Sequence, residues 1–563
     1  MRHRNAHRLP MRAAVKAHAR NVFDRSHTYK TTFNCDELIP FYVDEVSPNE
    51  HFSLRMTAFG RSATPEFPIM DNLFFTTFFF CIPYRLVWDN FKKFQGEQDN
   101  PDDSTDYITP YVMFNDANPV QSLSLFDYMG LPPSNVGYGS TSDPKNGINS
   151  LFFRAYNLVW NEHFRDENLQ VSVSVPKTDG PDDPADFVVL KRGKRYDYFT
   201  SSLPWPQKGF SVTTPIEGQA PIIGQSPVLG IGVNSGAITT TPTPFNQSDG
   251  NIVSDVGWST GSTVYRMAEN PDNLSFPNIR ADADALNSTM QADLSMATGV
   301  SINQLRESIA LQAFFENDAV GSTRYKDMIY ARFGSVSSDK SLQRSEYIGG
   351  RSSMVHFHPV VQTSASAYGA GEANTPQGNT GAFATLSVKG HGFSYHFEEH
   401  SVVLGLMCVD AELTYQQGIH RMWTRRTRYD YPAPEFANLG EQEVYNREVY
   451  AYSNDDSVHN GIFGYQRRYQ EEKGKPSLIT GLFRSVLRDT TYFPSSTSLD
   501  VWHLSQYFTS LPTLNSEFIE CNTPFDRVIA VADEPHFIFD SFLSIRAVKP
   551  LPVYSIPATL DRF

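Results

Sequence analysis

The feature that most constrains the fold is a two-residue alternation of apolar and polar side chains through residues 383–417. It reads FATLSVKGHGFSYHF and then VVLGLMCVDAELTY. Successive side chains of a strand point to opposite faces of a sheet, so this alternation predicts long strands. A continuously apolar run, LFFTTFFFCI at 73–82, predicts a strand that is buried on both faces.

Weaker signals add further elements on both sides of these strands. Helical spacing predicts helices over 84–95, 152–165 and 301–317, the last capped by Ser301. Pro10 and the alanines that follow it favour a short helix over 11–23 once a contact orders that segment. Further strands are predicted at 31–59 on either side of a turn at Ser47-Pro48-Asn49, at 169–175, and as a paired set over 527–554. There is neither a repeat of 20–50 residues nor a regular strand–helix series. We therefore expect a mainly β sandwich or barrel with large insertions, the jelly roll being one such fold.

The composition of the chain excludes several classes of protein. With 40% hydrophobic and 19% charged residues among 563, the chain is not of the disordered class. No stretch approaches the roughly 20 apolar residues of a membrane helix, and MRHRNAHRLPMRAAVK at the N-terminus has no secretory core. Four widely spaced cysteines form no CxxC pair, which predicts buried thiols in a reducing compartment.

Charge is unevenly distributed along the chain. Residues 1–25 carry one acid, Asp24, and seven basic residues, namely Arg2, Arg4, Arg8, Arg12, Lys16, Arg20 and Arg25. Subtracting this arm's +6 from the net charge of −15 leaves −21 on the rest of the chain. A basic arm on an acidic body predicts contact with a polyanion, and a solvated tail that binds nothing is the alternative.

A change of composition marks a candidate insertion. From Thr213 to about Val264 the chain is rich in Gly, Pro, Thr and Ser and poor in charge. Short strands in a projecting loop domain and a disordered linker are both compatible with that composition.

Several catalytic or metal-binding motifs match in letters only. HFEEH at 396–400 fits a zinc protease pattern that requires a helix, but its flanks predict a strand, on which the two imidazoles would lie roughly 13 Å apart. GWSTG at 257–261 lacks the helix that a nucleophile elbow needs. Gly474-Lys475 lacks the upstream glycine of a phosphate loop, and Pro476 takes the place of its Ser or Thr.

One metal motif leaves an alternative function open. Gly350 followed at a distance by His356-Phe357-His358 resembles half of a cupin metal site, although Gln362 and Thr363 stand where its Glu is expected. A jelly-roll metal-dependent enzyme or sugar-binding protein is therefore the alternative function. We prefer two histidines that flank a core-facing Phe357 on a strand, and we leave metal binding unassigned.

The run HRMWTRRTRYDY at 420–431 interleaves cations with aromatic rings. Its candidate binding residues are Arg421, Trp423, Arg425, Arg426, Arg428 and Tyr429. Such a set suits single-stranded nucleic acid, in which phosphates alternate with flat bases. Arg, Trp and Tyr also anchor contacts between subunits, so an intersubunit interface is the other interpretation and the one we favour slightly.

Long stretches of the chain resemble the major capsid proteins of gokushovirus-type microviruses, which are small icosahedral single-stranded DNA phages. The resemblance is carried by FDRSHTYKTTFNCDELIPFYVDEV (23–46), MTAFGRSATPEFPIMDNL (56–73), YRLVWDNFKKFQGEQDNP (84–101), LPWPQKG (203–209), LQRSEYIGG (342–350), HPVVQTS (358–364), LTYQQGIHRMWTRRTRYDYPAPEFANLGEQ (413–442), FGYQRRYQEEKGKPSLITG (463–481), LDVWHLSQYF (499–508) and PFDRVIAVADEPHFIFDS (524–541). These stretches are individually specific and together bracket nearly the whole chain.

The resemblance implies an eight-stranded antiparallel viral jelly roll with large loop and helical insertions. Sixty copies would self-assemble into a T=1 shell around a circular single-stranded DNA genome. The implied partners are other copies of the chain, the packaged DNA, a small basic DNA-packaging protein, a minor pilot protein and a host receptor. The implied location is the virion, assembled in the bacterial cytoplasm without membrane insertion, and neither a catalytic site nor a cofactor is expected.

The resemblance also suggests a division of the chain. Residues 1–25 would be a basic arm that faces the genome, and 26–212 the first part of the jelly-roll core with helical insertions. Residues 213–300 would form a surface projection at the three-fold axis. Residues 301–563 would supply a helical insertion and the remaining strands.

Overall fold

The computed structural model describes residues 20–115, 118–134, 147–214, 300–321, 323–364, 378, 380–452, 455–485 and 499–554, with six short strands between 222 and 292. The chain divides into two compact units, one formed by Met1–Lys208 with Phe315–Phe563 and the other by Gly209–Phe314. The strands are β1 (Asn21–Asp24), β2 (His27–Phe33), β3 (Ile39–Val46), β4 (Glu50–Ser62), β5 (Leu73–Pro83), β6 (Tyr111–Val112), β7 (Ile148–Asn149), β8 (Ile222–Gly224), β9 (Ile231–Gly232), β10 (Phe245–Asn246), β11 (Ile252–Val253), β12 (Asn278–Ile279), β13 (Met290–Ala292), β14 (Glu346–Met354), β15 (His356–Val361), β16 (Thr380–Phe397), β17 (Ser401–Ala411), β18 (Glu441–Tyr445), β19 (Ile462–Arg467) and β20 (Phe537–Lys549).

The helices are mostly short. They are α1 (Tyr84–Val87), α2 (Phe91–Phe94), α3 (Leu125–Tyr128), α4 (Leu151–Val159), α5 (Ile302–Val320), α6 (Tyr325–Phe333), α7 (Asn446–Val449), α8 (Asp456–His459), α9 (Gln470–Lys473) and α10 (Ser516–Ile519). Helix α4 continues into a π-helical turn, Trp160–Phe164. Single 3₁₀ turns occur at Pro184–Asp186, Arg421–Thr424, Arg428–Asp430, Pro434–Phe436, Gly481–Phe483, Asp500–Trp502 and Phe525–Arg527.

Two antiparallel sheets form a β sandwich, so the mainly β prediction is confirmed. The six-stranded sheet has the order β1-β20-β4-β16-β15, with β2 also paired to β20. The four-stranded sheet has the order β14-β5-β17-β3. Aromatic rings from both sheets meet between them: Phe75 stacks on Phe539 with centroids 5.3 Å apart, and Phe79 lies 5.1 Å from Phe393.

The apolar run at 73–82 is the central strand β5, and it is buried on both faces as predicted. One face lies in the sandwich core. The other carries Phe80 and Ile82, which pack with Phe153 and Val159 of α4 in a second apolar cluster. The same helical layer covers β17, which is therefore completely buried, whereas β16 keeps the predicted alternation with one exposed face.

A fully buried ion pair holds this helical layer in place. The Arg154 guanidinium in α4 donates two hydrogen bonds to the Asp182 carboxylate, each 2.7 Å long, and a third, 3.1 Å long, to the carbonyl of Val87. The side chains of Arg154 and Asp182 are 0% and 1% exposed. Their charges therefore depend almost wholly on each other for stabilisation.

Two strand predictions are wrong, and so is the end of one helix prediction. The predicted strand at 169–175 is irregular, because Asn157 and Asn161 of the helical segment hydrogen-bond the backbone at Ser174 and Val173 in place of a neighbouring strand. Over 527–554 there is one strand, β20, whose partners are β1, β2 and β4 and not another strand of that segment. The described end of the predicted helix 11–23 is strand β1, held by β20.

The other helix predictions hold to different extents. The helix at 84–95 is split into α1 and α2. The helix at 152–165 is present as α4 and its π-helical turn. The helix at 301–317 is α5, and the Ser301 hydroxyl accepts the backbone N–H of Gln304 as the predicted cap.

The second unit contains the six short strands β8–β13. They pair antiparallel as β8 with β13, β9 with β12, and β10 with β11. The described part of the predicted insertion thus contains short strands, one of the two alternatives that its composition left open.

Candidate subunit and nucleic-acid interfaces

The described end of the basic arm has two arginines with different surroundings. Arg20 is exposed and directly precedes β1. The Arg25 guanidinium donates to the Asp44 carboxylate of β3 and lies 5.8 Å from the centroid of the Phe52 ring. Arg25 is therefore engaged within the subunit, and Arg2, Arg4, Arg8, Arg12 and Lys16 lie outside the described residues.

The basic-aromatic run 420–431 is built from single 3₁₀ turns that its own side chains cap. The imidazole of His420 accepts the backbone N–H of Met422 at 3.2 Å. The Asp430 carboxylate accepts the N–H groups of Arg426 and Thr427 at 2.8 and 2.7 Å, and these bonds lower the pKa of Asp430. Local hydrogen bonds therefore fix the direction of the run without a sheet or a long helix.

Two of its arginines neutralise buried carboxylates. Arg421 Nη1 lies 3.5 Å from Glu448 Oε1, and Arg425 Nη2 lies 3.3 Å from Glu471 Oε1. Arg425 also bonds Glu472 at 2.6 Å. Glu448 and Glu471 are buried, and burial raises the pKa of Glu448. Because these cations serve the fold, they are less available to an external phosphate.

The remaining members of the predicted set face solvent. The side chains of Trp423 and Tyr429 are 76% and 63% exposed, and Arg426 and Arg428 are exposed as well. Within the described part of the chain, neither of these arginines has an ion pair, and the Arg428 guanidinium lies 5.1 Å from the Tyr429 ring centroid. An exposed cluster of rings and cations is suited to a partner surface.

Behind the run lies a cavity of about 410 Å³, and two further arginines that its sequence did not single out line it. Arg447 and Arg468 line it together with Arg421, Arg425 and Arg426. Arg447 follows β18 in α7 and Arg468 follows β19, so the β18–β19 hairpin brings them to the run. Their sequence signal is a nearby tyrosine: Arg447 lies two residues after Tyr445 and Arg468 directly precedes Tyr469, and the guanidinium groups lie 5.0 and 5.5 Å from those ring centroids.

The histidines of the metal-like motifs do not converge. His356 and His358 on β15 are both exposed, with Phe357 between them packed against the core, and His358 stacks on Phe383 at 5.0 Å. In HFEEH, the strand β16 ends at Phe397, between His396 and His400. Among the described residues, no three His, Cys, Asp or Glu side chains are arranged to hold a metal ion. GWSTG lies outside the described residues.

The four cysteines are free thiols, and each is buried. Burial raises the pKa of Cys81 to about 12, so this thiol stays protonated at neutral pH. The prediction of buried thiols is confirmed.

Comparison with known proteins places the chain in a family. The model of the family described as capsid protein (F protein) matches residues 13–559. The chain belongs to this capsid protein family. It is 41% identical to capsid protein VP1 of Bdellovibrio phage phiMH2K over 553 residues, which cover 97% of this chain and 96% of that protein.

Two further capsid proteins agree along nearly their whole lengths. Capsid protein VP1 of Chlamydia phage 1 is 40% identical, with 96% of this chain and 95% of that protein covered. Capsid protein VP1 of Spiroplasma virus 4 is 33% identical, with 94% of each covered. The gokushovirus-type resemblance is therefore confirmed, and the chain is a structural protein of a phage virion. No helix in the described part of this capsid protein has the length and apolarity to span a bilayer.

Proposed function

We propose that this chain is a major capsid protein that closes a T=1 shell of 60 copies around a circular single-stranded DNA genome. The observation that carries the proposal is the match of a capsid family along 13–559, joined to a β sandwich. A capsid protein acts by association, and a closed shell requires surfaces that complement other copies of the same chain.

The strand order supports a viral jelly roll as the fold. Eight strands form two nested series: β2-β20-β4-β16 in one sheet and β3-β17-β5-β14 in the other. The first of the eight pairs with the last, and the second with the seventh, as when a long hairpin is wound around a barrel. The longest connection joins β5 to β14 and contains the second unit, Gly209–Phe314.

The exposed part of the basic-aromatic run is our candidate for a contact between subunits. Trp423, Tyr429 and the exposed Tyr431 and Leu439 present apolar surface beside Arg426 and Arg428. Large rings and arginines supply most of the binding free energy in protein interfaces. Arg421 and Arg425 support this surface from within.

The basic arm 1–25 is our candidate for contact with the genome, with Arg25 held back by Asp44. Arginine and lysine side chains bind phosphates and release the counterions of the nucleic acid. The rest of the chain has a net charge of −21 and would repel the genome without such a basic segment. A small basic packaging protein would supply further positive charge. Deleting residues 2–20 should lower the DNA content of purified particles, and normal DNA content would refute the role of the arm.

We further propose the 213–300 segment as the part that meets the host receptor, with a minor pilot protein as a separate virion component and assembly in the bacterial cytoplasm. Particles in which this segment is exchanged with that of a relative should change in adsorption. Unchanged adsorption would remove the receptor role and leave the shell role intact.

Nuclease protection tests the enclosure of single-stranded DNA. Purified particles treated with nuclease should yield a protected circular single strand after the shell is opened. Recovery of duplex DNA, or of no nucleic acid from full-density particles, would contradict the proposal.

A further inference from the structure

The outward face of the six-stranded sheet carries cations and aromatic rings that the run 420–431 and the basic arm do not include. On β4, every second residue from Arg55 to Arg61 is exposed, and Phe59 between them is 57% exposed. On β20, Phe542 is 48% exposed. On β16, Lys389 and Phe383 point to the same side.

The strand register places these residues next to one another. Thr57 of β4 lies opposite Phe542 on one side and Lys389 on the other. Two residues further along β4, Phe59 lies between Asp540 and Ser387, and Arg61 follows at the next outward position. Arg55 and Arg61 are six residues apart, or about 20 Å along the strand.

Among the residues that the structure describes, three of the cations on this face have no acidic partner. Lys30 lies 3.9 Å from Asp540, and Arg546 lies opposite Asp24, so these cations have counter-charges. Within the described ranges, Arg55, Arg61 and Lys389 form no ion pair. A surplus of three positive charges on one sheet face runs against the chain's net charge of −15 and favours a polyanionic partner.

The basic arm also ends at this sheet. Arg20 precedes β1, the edge strand paired with β20. Burial, then the neighbouring His396 and the positive charge of Arg20, lower the pKa of His51 on the outward face of β4. Together with Arg20, the face therefore offers phosphate-binding groups from residues that are far apart in the sequence.

We propose that this face binds single-stranded nucleic acid, with Arg55, Arg61 and Lys389 contacting phosphates and Phe59 and Phe542 stacking on bases. Exposed rings between cations are how proteins hold single strands without reading their sequence, because every base has a flat face. The rings of a paired duplex are already stacked on each other, so a duplex gains less from this surface. The inference rests on the proposed function, since it supplies a binding surface for the packaged genome.

Binding of a labelled 20-nucleotide oligo-dT to the unassembled full chain tests the inference. Fluorescence anisotropy over a salt series should show that R55A/R61A/K389A lowers the slope of log affinity against log salt by about 2, at about 0.7 per lost phosphate contact. F59A/F542A should weaken binding by at least about tenfold and leave that slope unchanged. All five side chains are exposed, so the variants should keep the wild-type circular dichroism spectrum.

A matched control removes three exposed cations that lie away from this face. K92A/K473A/K475A should bind as the wild type does. If this control weakens oligo-dT binding equally, or if the wild type binds a duplex of the same length with equal affinity, the binding reflects net charge alone. Either result would overturn the proposal. Loss of binding in R426A/R428A with no loss in R55A/R61A/K389A would overturn it in favour of the run 420–431.

Photocross-linking of the wild-type chain provides a test that needs no variant. Bromodeoxyuridine oligonucleotides should cross-link to peptides that contain Phe59 or Phe542, and cross-links confined to other peptides would refute the inference. Particle closure and nuclease protection are measured separately. Closed shells around single-stranded DNA without these cross-links would refute this inference alone, whereas an absence of shells would refute the proposed function.

Discussion

Thr77 and His391 join the two sheets of the sandwich through a buried hydrogen bond. Thr77 Oγ1 on β5 lies 2.9 Å from His391 Nδ1 on β16, and Nε2 of the same imidazole lies 2.8 Å from Ser353 Oγ on β14. His391 is 0% exposed, and burial lowers its pKa to about 4 from an ordinary 6.5. The neutral imidazole is thus a polar link inside an apolar core.

The first prediction concerns stability in acid. Because the pKa of His391 is lower in the folded chain than in the unfolded chain, its contribution is complete above pH 6.5 and is lost as pH falls towards 4. The loss should reach about 3 kcal/mol for this group. H391Q should show a correspondingly smaller fall in the free energy of unfolding of unassembled subunits. H358Q, at an exposed position, should not, and equal falls in both variants would contradict the assignment. His163, which is half-buried and whose pKa is lowered to about 4 chiefly by its burial, should account for part of the remaining fall.

The second prediction concerns the Arg154–Asp182 pair. Removing one partner leaves an uncompensated buried charge, so D182A should lower the free energy of unfolding by about 3–5 kcal/mol. The double variant R154M/D182L should recover much of that loss because it buries no charge. Denaturant titration measures both, and a double variant as unstable as D182A would show that the hydrogen bond to Val87 matters more than the charge pair.

The third prediction concerns the close approach of β16 to β4. A Cβ atom at Gly392 would lie 1.9 Å from the carbonyl oxygen of Leu54, whereas one at Gly381 in the same strand would meet nothing within 4 Å. G392A should therefore destabilise the subunit by about 3 kcal/mol, in the range of overpacked cores. G381A should have a small effect. Comparable melting temperatures for the two variants would contradict the pairing of Gly392 with Arg55.

The fourth prediction separates the fold from assembly in the run 420–431. R425A removes the cation nearest to the buried Glu471 carboxylate, so it should lower the free energy of unfolding of the subunit. W423A/Y429A should leave the subunit folded and reduce the yield of closed particles at least tenfold, because exposed anchor residues act only in the contact. Circular dichroism and electron microscopy distinguish the two effects. Normal particle yield from W423A/Y429A would remove this surface from the set of subunit contacts.

The sequence predicted local structure best where the burial of apolar side chains alone decides the structure of a segment. The alternation in β16 and the apolar run of β5 reflect burial, which acts on each strand directly. The segment 169–175 has an equally clear alternation, yet two asparagine side chains satisfy its backbone. Periodicity reports which side chains are apolar and carries no information about which group accepts a backbone hydrogen bond.

The residue pattern could not predict which strands pair when they lie far apart in the sequence. Strand β2 pairs with β20, with His27 opposite Leu543, and no local signal links positions more than 500 residues apart. The division of the basic-aromatic run into inner Arg421 and Arg425 and outer Arg426 and Arg428 depends on Glu448 and Glu471, which the tertiary fold delivers. The sequence therefore proposes the candidate residues, and only the tertiary fold separates the arginines that contact buried carboxylates from those that face solvent.

Sedimentation combined with electron microscopy of the native protein would show whether the chain closes a shell of 60 copies. Sixty copies of a 63.4 kDa chain give a protein shell of roughly 3.8 MDa, and point-group closure gives a single particle size. We expect uniform spherical particles of that protein mass with icosahedral symmetry. A 63.4 kDa monomer, or open sheets and filaments of no fixed size, formed with packaging partners and DNA present, would contradict it.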